Sequence, residues 1–143
     1  MQNRPNFEEL VDIAREVFNE SSFSSPTPVT IPSPSFLAAG GKIVGYERKK
    51  LLRTAFPVPE AYSNPAGYLQ GGYLTTMIDD TFGPLSYLAA GKPAVTLNLS
   101  TTFLRPVPIG EAYIMVEAEV VLVEVMVAPG VGGLHLLLEG FSK

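Results

Sequence analysis

Cysteine is absent from all 143 residues. Its absence excludes disulfides, thiolate catalysis and cysteine-ligated metals, and nothing suggests a secreted, disulfide-stapled scaffold. Histidine occurs once, at His135, which leaves little for a zinc site; it reads as a surface or satisfied strand residue, and no metal is expected. No window is long and apolar enough to cross a bilayer, and residues 1–18 carry charges throughout, unlike the uninterrupted apolar core of a signal peptide. Cytoplasmic residence is therefore the expectation. Charge is sparse: ten basic against 14 acidic residues give a net charge of −4. Such a chain has no broad electrostatic footprint for nucleic acid or an anionic membrane, so neither is expected as a partner and an anionic ligand would have to be met locally.

Apolar residues make up 46% of the chain, enough at this length for one core and a single domain over 1–143. Residues 1–20 have the spacing of an amphipathic helix, with Asn6 as N-cap and Glu8 and Glu9 in the first turn. Residues 21–36 form a Ser/Pro-rich connector whose composition sustains neither helix nor central strand. It is either a linker or a lid over a ligand entrance. The core domain is then 37–143. Lys42 to Pro57 reads as extended, interrupted by the charged Glu47 to Lys50, and fits a long bulged strand or a tight hairpin equally well. Arg48, Lys49, Lys50 and Arg53 form a solvated edge or a contact to ligand phosphates. Lys92 to Arg105 alternates as a strand, with Val95, Leu97, Leu99, Thr101 and Phe103 on a core face. The opposite face, Thr96, Asn98, Ser100 and Thr102, is short and uncharged, as a subunit interface or a lined cleft would be. Glu111 to Val127 reads as the next strand, Pro129 to Gly133 as a turn, and Leu134 to Leu138 as a last short strand.

The stretch that carries chemistry runs from Asn64 to Leu88. A turn-forming segment ends at Gln70-Gly71-Gly72, and the apolar run from Tyr73 onward has helical spacing. The first turn of a helix offers unpaired N–H groups and a partial positive charge, and glycine lets an oxyanion approach them; a tight entry turn would also call for glycine. Tyr73, Leu74, Met77, Ile78, Thr81, Phe82, Leu85 and Leu88 cover most of the helix circumference, as in a helix buried on several sides. Asp79 among them must find a partner, meet water in a cleft or stay protonated, which makes it a candidate general base as well as a buried cap. Asp80, about 100° round the helix, points elsewhere and reads as structural. Pro84 removes the N–H that would bond the Asp80 carbonyl, and is expected to kink or split the helix.

Taken jointly, Asn64, the run Gly67-x-Leu69-Gln70-Gly71-Gly72, Asp79 and Gly83, then Ala94-Val95-Thr96 and Phe103-Leu104-Arg105-Pro106 with Gly110, resemble the hotdog-fold acyl-CoA thioesterases of the phenylacetate-degradation and 4-hydroxybenzoyl-CoA type. The resemblance spans roughly Gly40 to Val125. It implies an α+β hotdog fold, a long central helix wrapped by an antiparallel sheet, here with an N-terminal helix and a shortened C-terminal strand region. It also implies a homodimer, or a dimer of dimers, with active sites at the subunit interface and hydrolysis of an acyl-CoA to free acid and coenzyme A. By this likeness the Gly71 N–H polarises the thioester carbonyl, Asn64 positions that carbonyl or the water, Asp79 from the other subunit is base or nucleophile, and Thr96 holds the water or the carboxylate. Gly72, Arg105, Tyr73 and Phe82 are the candidate substrate contacts, and no cofactor is required beyond the coenzyme A of the substrate. Gln70 stands where much of the family has histidine; it can donate and accept hydrogen bonds but cannot titrate. Only 16 residues follow Val127, where the family usually continues with two further long strands. A non-catalytic acyl-CoA-binding protein on this fold, and less favourably a dehydratase, are the competing functions.

Overall fold

The computed structural model describes residues 32–90 and 95–120, and backbone segments at 123–124, 127–128, 131–132 and 135–136. The expected helix over 1–20 and most of the connector lie outside the described residues. The connector's last residues do not follow the expectation: Pro34–Ala38 is a short helix, α1. Proline is tolerated there because it occupies the first helical positions, where its missing N–H would have had no partner. Ser33 caps the helix, its side chain accepting from the Phe36 N–H at 3.1 Å.

The extended region over 42–57 is a hairpin that also carries the bulge. Strand β1, Lys42–Glu47, pairs antiparallel with β2, Leu51–Phe56, and the register shifts between Ile43 and Gly45. Lys49 takes the left-handed conformation that the turn needs, at φ 56°. Strand β2 is central and also pairs antiparallel with β3, Ile114–Glu119. Val116 and Ala118 of β3 are buried while Met115, Glu117 and Glu119 are exposed, the period of two expected when one sheet face is covered. What covers it is the long helix α2, Gly71–Ala90, which packs on β2 and β3. Ile43, Leu52, Phe56, Met77, Phe82, Leu85, Leu88 and Val116 form the core between them.

Two further expectations are corrected. Helix α2 is not split at Pro84 but runs unbroken for 20 residues. Part of what drives the residue before a proline out of helical conformation is a clash with that residue's Cβ, and here that residue is Gly83, which has none; the backbone bond to the Asp80 carbonyl is still lost. Residues 95–105 form no strand. Val95, Leu97 and Phe103 are 75, 69 and 52% exposed, and Leu99 and Thr101 only half-buried, so the face assigned to the core stays largely in solvent. An alternating segment buries one face only when a neighbour covers it, and no strand of the described chain pairs with this one. Of the strand expected over 111–127, Ile114–Glu119 is β3, and the described residues beyond it are extended as β4 (Val123–Glu124) and β5 (Val127–Ala128), with 121–122 and 125–126 lying outside the described residues. These pair with β7 (His135–Leu136) and β6 (Val131–Gly132) respectively, four residue pairs on one antiparallel register. The described C-terminal strands thus pair antiparallel with one another.

Candidate active site

The loop before α2 is built by Asn64. Its Oδ1 accepts from the N–H groups of Ala66 at 2.9 Å and Tyr68 at 3.1 Å, and its backbone N–H donates to Tyr68 O at 2.7 Å. Gly67 lies inside this turn at φ 80°, a conformation side chains rarely adopt. The loop is tied to the segment after residue 105 by Leu69 N–H to Val107 O at 2.8 Å and Ile109 N–H to Gly67 O at 3.3 Å. Asn64 is therefore first a loop organiser; its oxygen is committed, and only its amide N–H groups are left for a ligand.

At the head of α2 the first backbone bonds run from Tyr73 and Leu74 to the Gln70 carbonyl, so the Gly71 and Gly72 N–H groups stand ahead of the ladder. The two glycines differ. A Cβ on Gly71 would lie 3.1 Å from Phe103 Cζ and 3.3 Å from its Cε2, whereas one on Gly72 would meet nothing within 4 Å. Phe103 thus packs against the Cα of Gly71, whereas the space beside the Cα of Gly72 is open. The Tyr73 ring stacks on Tyr62, with centroids 3.9 Å apart and planes 9° from parallel, and Tyr73 remains 39% exposed. The Gln70 side chain is exposed, as is Arg105. Phe82, a candidate substrate contact, belongs instead to the buried core. The basic hairpin turn is partly spent on ion pairs: Lys50 with Glu47 at 3.1 Å, and Arg53 with Glu117.

Two turns along the helix, Asp79 is half-buried, and its Oδ1 accepts a hydrogen bond of 2.6 Å from Thr96 Oγ1. The two residues singled out at 79 and 96 are thereby brought together. Gly71 and Asp79 are not: eight residues at about 1.5 Å each separate them by about 12 Å along the axis.

Sequence reasoning read Asp80 as structural without finding its partners. Its two oxygens accept from Ser33 Oγ at 3.1 Å and from Ser35 Oγ at 2.8 Å. Burial raises its pKa above the ordinary carboxylate value; the hydrogen bonds from Ser35 and Ser33 oppose that shift and the neighbouring Asp79 charge adds to it. The serines at 33 and 35 flanking a proline were the available signal, hidden by the reading of that segment as linker. Beside this turn Thr81 Oγ1 donates to Met77 O at 2.8 Å and lies 2.6 Å from Thr54 Oγ1 of β2, both threonines fully buried.

Residues 66–124 match a family model described as the thioesterase superfamily. Among solved structures, a phenylacetic acid degradation-related protein of Ralstonia eutropha is 32% identical, with a TM-score of 0.53 over 65% of this chain and 69% of that one. The phenylacetic acid degradation protein PaaI of Thermus thermophilus is 28% identical, with a TM-score of 0.51 over 60% and 70%. The PaaI protein of E. coli, at 22% identity and a TM-score of 0.57 over 62% of each chain, adds likeness of fold alone. No curated protein matches the chain.

Proposed function

The chain belongs to the thioesterase superfamily and has its hotdog fold, and from that premise we propose that it hydrolyses an acyl-CoA thioester to free acid and coenzyme A at a site shared by two copies. The observation that carries this reading is the pairing of Asp79 with Thr96 on a helix whose open N–H groups lie about 12 Å away. Within one chain the carboxylate and the oxyanion donors cannot meet on one carbonyl. A second copy supplies the missing half. The segment that carries Thr96 also carries the exposed Val95, Leu97, Phe103 and Leu104, the kind of surface a second copy would cover.

In this mechanism the thioester oxygen sits at the head of α2 and receives the N–H of Gly71, with Gly72 leaving the approach open and the Asn64 amide N–H assisting. An oxyanion donor so placed is worth about 3 kcal/mol of barrier. The Thr96 hydroxyl donates a hydrogen bond to Asp79 and keeps its proton, so its lone pairs are free to accept from a water. Asp79 of the partner copy takes a proton as that water adds to the carbonyl carbon. The carbon–sulfur bond then breaks and coenzyme A leaves as thiolate, a leaving group good enough to need no strong general acid. Tyr73 and Gly72 contact the acyl end, and Arg105 the phosphates of coenzyme A. Coenzyme A enters as part of the substrate, with no separate cofactor.

The test is thiol release from benzoyl-CoA, hexanoyl-CoA and longer acyl esters, read with a thiol reagent that the cysteine-free chain does not itself consume. Wild type is expected to turn over at least one ester, and Asp79→Asn to lose at least about 10²-fold in kcat, the scale of a general base. Binding without turnover on every ester would replace this reading with the acyl-CoA-binding one, which Gln70 favours. A solution mass of one chain under assay conditions would refute the shared site.

A further inference from the structure

We infer that Ser33, Asp80 and Ser35 form a positioning clamp for Asp79, holding the turn of α2 from which Pro84 has removed a backbone hydrogen bond. The inference rests on the reading of Asp79 as the catalytic carboxylate.

Pro84 has no N–H to offer the carbonyl of Asp80, so the turn directly after Asp79 is held by fewer backbone bonds than the rest of the helix interior. Side chains bind it from outside instead. Asp80 takes Ser33 and Ser35, one on each oxygen, and Thr81 takes Thr54 from the central strand. The bond between Asp79 and Thr96 cannot set the carboxylate's position alone, because Thr96 stands on an exposed segment outside the sheet. Its direction must come from the helix, and at this turn the helix is located by its lateral bonds.

The chemistry of the clamp suits positioning better than tethering. Ser33 accepts the Phe36 N–H as cap of α1, so its own proton is committed to Asp80 and both functions are locked together. Occupation of both carboxylate oxygens fixes the rotamer of Asp80 as well as its location. A tether alone is already supplied by Phe36, buried edge-on against Phe56 with centroids 5.5 Å apart. A half-buried carboxylate with only hydroxyl partners would be a costly addition to it.

The experiment compares Ser33→Ala/Ser35→Ala, Ser35→Ala and Ser35→Thr with wild type, Asp79→Asn and the core control Val58→Ala, in thiol release from benzoyl-CoA and hexanoyl-CoA, with melting temperature alongside. Misplacing a reacting group by about 1 Å can cost about 10²-fold in rate. The double variant is expected to lose at least about tenfold in kcat with KM within about twofold, Ser35→Ala to lose part of that, and Ser35→Thr to keep the wild-type kcat because the hydroxyl is restored. Val58→Ala, a buried apolar side chain that shares the core with Phe36 but forms none of the clamp's hydrogen bonds, is expected to lower the melting temperature and leave kcat unchanged. If Asp79→Asn is inactive while the serine variants keep wild-type kcat, or if Val58→Ala loses as much kcat as they do, the clamp is refuted and the carboxylate assignment stands. If Asp79→Asn retains wild-type turnover, or wild type turns over nothing, both readings fall. Should the double variant not fold, Ser35→Ala decides alone, since Ser35 is exposed and its loss leaves the Ser33 cap intact.

Discussion

Thr54 and Thr81 give a test of how β2 is held on α2 beside Asp79. Thr81 has one hydroxyl proton, and it goes to the Met77 carbonyl at 2.8 Å. The 2.6 Å contact between the two hydroxyls must then be Thr54 donating to Thr81. The two threonines are therefore unequal. Thr54→Val removes one donor and leaves Thr81 still bonded to Met77, a loss of about 1 kcal/mol, the net worth of a neutral hydrogen bond. Thr81→Val strands the Thr54 hydroxyl in a fully buried position without an acceptor, and should cost about 2 kcal/mol. In the double variant no polar group is stranded, so the total should be about 1 kcal/mol rather than the additive value of about 3 kcal/mol, a coupling of about 2 kcal/mol. Urea denaturation measures this directly as shifts in midpoint at constant slope. The reasoning fails if Thr54→Val costs as much as Thr81→Val, or if the double variant is additive to within about 0.5 kcal/mol.

Asp80 should leave a signature in the pH dependence of stability. Its folded pKa is raised, so it favours folding below its unfolded pKa near 4, and that contribution is lost as pH rises through the folded value. The stability of Asp80→Asn relative to wild type should therefore rise from about pH 4 towards neutrality and then level; a difference that falls over that range would contradict the burial argument. At the glycine pair, Gly72→Ala enters open space and should keep or raise the melting temperature, while turnover falls because a methyl group crowds the open N–H. Gly71→Ala must displace the Phe103 ring by a few tenths of an ångström; that ring is half exposed and can yield, so the cost should stay below about 1 kcal/mol while kcat drops. Unchanged turnover in both variants would remove the head of α2 from the site.

What could be read without coordinates was whatever depends on local period and residue chemistry. The helix from Gly71 onward was legible because its apolar residues recur around the whole circumference; a family likeness gave Thr96 as holding the water or the carboxylate, and the structure has its hydroxyl on Asp79. The partners of Asp80 were not. They lie 47 and 45 residues upstream, in a segment whose prolines read as linker, and a hydrogen bond between hydroxyl and carboxylate leaves no periodic trace. For Pro84, expected to kink or split the helix, the split does not occur. Part of a proline's effect depends on the residue before it, and Gly83, with no Cβ, removes that part of the clash. Asn64 was placed in the right loop, but its oxygen is consumed in building that loop.

The segment 95–105 is the place where a correct period gave the wrong burial, and the reason bears on function. Alternation records which side of a strand is meant to be covered; it does not say by which molecule. In this chain nothing in the described structure pairs with the segment, and the C-terminal residues that follow β3 are paired among themselves. Its apolar side chains therefore stay in solvent, at a cost of about 25 cal/mol for each square ångström left uncovered. The same segment holds Thr96 against Asp79 and Phe103 against Gly71, one contact for each half of the proposed site. A partner copy that covers this segment would bury the apolar face and stiffen both contacts in a single step. Under the proposed shared site, association and assembly are one event, and a variant that weakens self-association, such as Leu97→Asp on the exposed face, should lose turnover in step with its loss of dimer mass; full turnover by a monomeric variant would refute the coupling.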